Sequence, residues 1–67
     1  MNKTYYVSEH KNGPAGPFRK VKAASLQGAK TIAQRERVRD DTILTVANKS
    51  RRAVTKRIGA RWIALGW

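Results

Sequence analysis

Residues 25–37, SLQGAKTIAQRER, constrain this chain more than any other stretch. Ser25 is suited to cap a helix, because its hydroxyl can accept from the unpaired amides of a first turn. Leu26, Ala29, Ile32 and Ala33 recur at helical spacing on one arc, with Gln27, Lys30, Thr31, Gln34 and Arg35 on the other side. Asp40 and Asp41 follow as a polar break. The spacing predicts one amphipathic helix, and its apolar arc must be covered by the flanking segments. Gly28 inside that helix costs about 1 kcal/mol against alanine. Either the helix approaches a sheet closely there, or the packing is imperfect.

The flanks read as strands. Residues 4–9, TYYVSE, are β-branched and aromatic. Tyr5 and Val7 point to one side, and Thr4, Tyr6 and Ser8 to the other. Residues 10–17, HKNGPAGP, form a loop, with Asn12-Gly13 suited to positive φ and two prolines that cannot donate to a ladder. Residues 18–23, FRKVKA, make a shorter second strand. Residues 42–47, TILTVA, are the strongest strand signal, since Thr42, Ile43, Thr45 and Val46 are β-branched. A polar turn, NKSRR, follows.

Residues 53–67, AVTKRIGARWIALGW, admit two readings. As a helix, Val54, Ile58, Trp62 and Leu65 share an arc. As strands, AVTKR and ARWIAL flank a bend at Ile58-Gly59. The β-branched Val54, Thr55 and Ile58, with Gly59 between the halves, favour strands. The expectation is an α+β fold: a small antiparallel sheet in β-β-α-β-β order, its fourth strand open to splitting in two, with the helix packed on one face.

At 67 residues the chain has room for a single small basic α+β domain with a thin core. There is no cysteine, so no disulfide framework or cysteine-based zinc site is expected. No run is long and apolar enough for a membrane span, and the first residues lack the apolar core of a secretory signal. A cytoplasmic location is the expectation, and absence of cysteine is compatible with it.

Charge carries the functional information. Fifteen Lys and Arg stand against four Asp and Glu, a net charge of +11. Repulsion on that scale destabilises the compact state unless salt or a polyanion relieves it. Residues 42–67 hold Lys49, Arg51, Arg52, Lys56, Arg57 and Arg61 with no acid at all. A tight turn would gather the first five, and Arg19, Lys20 and Lys22 on the second strand would add a second patch. A single Lys or Arg is more often a solvated surface residue than a contact. An unpaired cluster is different, and it points to phosphates. Tyr6, where it shares an open face with basic side chains, and Trp67, which could instead cover the core edge, are candidate stacking residues. Trp62, flanked by Ile63 and Leu65, reads as core instead.

No catalytic constellation emerges. His10 is the only histidine and sits in a loop, and Asp40-Asp41 reads as a helix stop rather than a metal pair. The glycines of residues 12–17 lack phosphate-loop spacing. The chain is therefore expected to be no enzyme, with no cofactor and no metal. The main expectation is a module that binds nucleic acid, DNA or RNA, through its phosphates with little sequence preference. The alternative is a small regulator or inhibitor, of the kind a phage or other mobile element encodes, that binds an acidic or nucleic-acid-binding protein. Third comes a helix-turn-helix reading of residues 50–58, SRRAVTKRI, although residues 42–49 look like a strand and lack the glycine of the usual turn. A membrane-surface role ranks last as a partner call, and an open sheet face or edge leaves room for a homodimer.

Overall fold

A computed structural model describes residues 2–11, 13–39 and 41–65. In chain order it comprises β1 (Lys3–His10), β2 (Arg19–Ala23), α1 (Leu26–Arg35), β3 (Ile43–Ala47), β4 (Ala53–Ile58) and β5 (Arg61–Ala64). The strands form one antiparallel sheet in the spatial order β2-β1-β3-β4-β5, with α1 across one face. The α+β expectation holds at this level. The order differs in detail: the last stretch gives two full strands, so the chain runs β-β-α-β-β-β.

That division has a local cause. Gly59, at φ 63°, occupies the first central position of a two-residue turn, and Ile58 pairs with Arg61 across it. A positive φ at that position suits the tight turns that close hairpins. Thr55 fixes the hairpin from within by donating its hydroxyl to the Ile63 carbonyl at 2.8 Å. The helical reading of residues 53–65 therefore fails, and with it the helix-turn-helix alternative: residues 43–47 and 53–58 are strands.

The helix starts as expected. The Ser25 hydroxyl accepts from the Gly28 amide at 3.3 Å. Ala29 and Ala33 are fully buried, and Leu26 and Ile32 pack half-buried around them. Against this arc lie Tyr5 and Val7 of β1, Val21 and Ala23 of β2, and Leu44 and Val46 of β3. Small alanines let the helix sit close to the sheet, and Gly28 is part of that fit. A Cβ there would come within 3.3 Å of the Ala23 Cβ, so close approach is the reason for the glycine.

The helix ends sooner than its sequence pattern suggests. Glu36 makes its last regular bond, to the Ile32 carbonyl at 3.0 Å. Beyond it, the Glu9 carboxylate accepts from the Val38 amide at 3.0 Å, the Arg39 amide at 2.8 Å and the Thr42 hydroxyl at 2.7 Å. These amides are captured by a strand side chain rather than by helix carbonyls, so the chain leaves the axis.

Candidate functional site

Strand pleating sorts the cations by face. Alternate residues project to opposite sides, and the core cluster identifies the helix side: Tyr5, Val7, Val21, Ala23, Leu44 and Val46. By the cross-strand register, Arg19, Arg57 and Trp62 share that side. Thr4, Tyr6, Ser8, Lys20, Lys22, Thr45, Lys56, Ile58, Arg61 and Ile63 project from the far side.

The predicted cluster is therefore divided. Arg19 turns to the helix side and forms an ion pair with Glu36. Arg57 does likewise, donating to the Gln34 side chain and, from Nε, to the Gly59 carbonyl at 2.9 Å. Lys56 and Arg57, adjacent in sequence, end on opposite faces because a strand has a period of two. Lys49 and Arg52 stand in the β3–β4 turn. Lys49 lines a cavity of about 460 Å³ at the sheet end with Asn2, Lys3, Thr4, Tyr5 and Asn48.

That turn is built to present Arg51. The Asn48 side-chain oxygen accepts from the Ser50 and Arg52 amides at 2.9 and 3.1 Å, and the Arg51 amide donates to the Asn48 carbonyl at 2.8 Å. Arg51 itself takes φ 65°, a left-handed conformation that glycine would adopt more readily. Its guanidinium lies 5.0 Å from the centre of the Tyr6 ring, a cation–π contact. The ring proposed for stacking thus already carries a cation. Trp67, the other stacking candidate, lies outside the described residues, as do Asn12 and Asp40.

On the far side, Lys22 reaches the Thr4 hydroxyl at 2.8 Å. The loop after β1 folds back over this side, and the Gly16 amide donates to the buried Ser8 hydroxyl at 2.9 Å. His10 Nδ1 lies 2.8 Å from the Lys11 carbonyl, and Nε2 lies 2.6 Å from the Thr45 hydroxyl. A carbonyl only accepts, so Nδ1 donates to Lys11, while Nε2 shares its hydrogen bond with a hydroxyl able to donate or accept. The imidazole is used in structure.

The acids lie elsewhere. Glu9 holds Val38, Arg39 and Thr42, Glu36 pairs with Arg19, and Asp41 pairs with Arg39 at 3.1 Å. Hydrogen bonds from the Val38 amide, then from Arg39 and Thr42, with Arg37 nearby, hold the Glu9 carboxyl below the ordinary glutamate range against some desolvation. Arg39 holds the Asp41 carboxyl low by hydrogen bonding and charge, and its own pKa rises in return. Among the described residues the far face therefore carries Lys20, Lys22, Arg51, Lys56 and Arg61 and no carboxylate.

No family model matches the chain, and no curated protein matches it. Among solved structures one likeness covers all of it. The chain has the fold of AcrIF9. The superposition has a TM-score of 0.91 and spans 100% of this chain and 91% of AcrIF9, at 23% sequence identity. At that identity the likeness to AcrIF9 speaks for the fold, and the surface side chains must be argued individually.

Sequence reasoning missed several features of this surface. Lys30 sits over the ring of half-buried Trp62 at 5.3 Å, a pairing across the helix–sheet gap with no short-range signature. Glu9 as loop anchor is equally non-local. Exposed Ile58, Ile63 and Leu65 could have been found: once a two-residue turn is placed at Gly59-Ala60, parity puts them together, opposite in face to Trp62.

Proposed function

We propose that this chain is a non-enzymatic, phage-encoded inhibitor that acts by binding a protein complex which handles nucleic acid. One observation carries the reading: a full-length fold likeness to AcrIF9, a phage anti-CRISPR protein. The candidate target is accordingly a CRISPR–Cas effector complex. Charge limits how the inhibition works. A chain with net charge +11 is no electrostatic imitation of a nucleic acid. Its far face, without a carboxylate among the described residues, is suited to an acidic protein surface, and long-range attraction raises the association rate there.

A panel of purified effector complexes, treated with nuclease and mixed with this protein, provides the test. The expected result is a stoichiometric complex on size exclusion and loss of target-DNA binding or cleavage. A chain that binds none of them and gives phage no protection in bacteria carrying those systems overturns the proposal.

A second reading has a specific observation in its favour. Lys20, Lys22, Lys56 and Arg61 share a face with Arg51 over Tyr6, an arrangement suited to phosphates beside a planar group. If these five cations each neutralise one phosphate, log affinity for duplex DNA falls against log salt with a slope of about −4.5. Anisotropy across a salt series measures it, and absence of binding to DNA and RNA at low salt removes this reading.

A further inference from the structure

Strand β5 ends the sheet, and the surface around it is more apolar than an exposed edge requires. Ile58, Ile63 and Leu65 are 44%, 36% and 41% exposed. Register makes them one patch on the far face: Lys56 pairs with Ile63, Ile58 pairs with Arg61, and the Leu65 amide donates to the Val54 carbonyl at 3.0 Å. Lys56 and Arg61 stand among the three aliphatic side chains. Neighbouring carboxylates are absent from this face among the described residues, since Glu9, Glu36 and Asp41 are engaged elsewhere.

The backbone of β5 is half used. In an antiparallel ladder, alternate residues direct their amide and carbonyl toward the same neighbour. Leu65 bonds to β4, so residues of its parity face inward and Trp62 and Ala64 present their backbone groups outward. Among the described residues no strand pairs on that outer side. A charged edge residue such as Arg61 ordinarily discourages strand addition. Three exposed aliphatic side chains beside it work the other way, because covering them releases apolar surface from water.

Three occupants compete for such an edge. A phosphate backbone gains nothing from the aliphatic patch. A second copy brings a further +11 and sets like charges against each other. A protein segment with apolar and acidic side chains satisfies the patch, the cations and the open ladder together. We propose that β5 is the docking edge for an extended, acidic and apolar segment of the target protein, which adds antiparallel as a further strand. The proposal rests on reading the chain as a protein-binding inhibitor and names the chemistry of the contact.

The probe is a capped peptide, Val-Thr-Val-Val-Glu-Glu, whose antiparallel register sets valine beside Ile63 and glutamate beside Arg61. Titrated into the 15N-labelled full chain, it is expected to give saturable shifts at the Trp62 and Ala64 amides. N-methylation of its ladder amides should abolish binding. Arg61→Glu should weaken it about ten-fold, and replacing the peptide's glutamates by lysines should restore binding to that variant, which a misfolded protein would not do. The proposal falls if no saturation is seen at millimolar peptide or if the shifts centre on another surface. It falls equally if the lysine peptide binds the unaltered chain as well, or if sedimentation shows a dimer that Ile63→Lys dissolves. Should the peptide fail while an effector complex is still captured, the edge is wrong and the inhibitor reading stands. Should the peptide bind and no complex be captured, the edge stands and the inhibitor reading falls.

Discussion

Glu9 does more for the fold than its place in a strand suggests. One carboxylate binds Val38, Arg39 and Thr42 just past the helix end and leaves the Val38 side chain 85% exposed. Its pKa is depressed in the folded state from the ordinary 4.5. The stabilisation is therefore present above that unfolded value and is lost as pH falls through the lower folded one. Glu9→Gln should remove this part of the acid-unfolding limb and cost on the order of 1 kcal/mol at neutral pH, a figure kept small because the site faces solvent. Thermal melts across the acid range check it. Arg51 offers a cleaner pair. Both Arg51→Gly and Arg51→Ala lose the cation over Tyr6, but only alanine keeps the left-handed penalty at φ 65°. The glycine variant should be the more stable by about 1 kcal/mol in urea. Neither contact was visible in the sequence, because each partner lies tens of residues away.

At the scale of elements, the helix and strands were legible where periodicity was strong. Ser25 as cap and the Leu26, Ala29, Ile32 and Ala33 arc are local properties of the chain. So is the alternation that buries Tyr5 and leaves Tyr6 on the other side. The ends were not legible: α1 ends at Arg35, and Glu9 takes the amides of Val38 and Arg39 that would have continued it. Residues 53–65 were ambiguous because Val54, Ile58, Trp62 and Leu65 fit a helical arc while the β-branched residues favoured strands, and Gly59 resolved it only through the turn it makes. Gly28 gives a test of helix against sheet. An alanine there has about 1 kcal/mol of helix propensity to gain, but its Cβ would meet the Ala23 Cβ at 3.3 Å on a strand held by β1 and α1. Gly28→Ala should therefore be no more stable than the parent protein, as measured by denaturant midpoint.

For the whole molecule, the balance is between a thin core and a large positive charge. Among the described residues the largest fully buried side chains are only Leu44, Val7, Val46 and Ser8, and +11 works against them. Raising salt from ~0.01 M to ~0.15 M shortens the Debye length from ~30 Å to ~8 Å, so Tm should rise over that range without any ligand. A flat or falling Tm would mean that the surplus charge is already relieved within the fold. The sequence by itself determined the composition of the surface, the existence of one helix and its apolar arc, and the strand character of β1 to β3, because these depend on neighbours a few residues apart. Only the tertiary structure decided which cations stand together. Pleating separates Lys56 from Arg57, and an ion pair withdraws Arg19. The turn between β3 and β4 brings Arg51 over Tyr6 of β1, because a surface patch is assembled from strands that meet across the sheet and not along the chain.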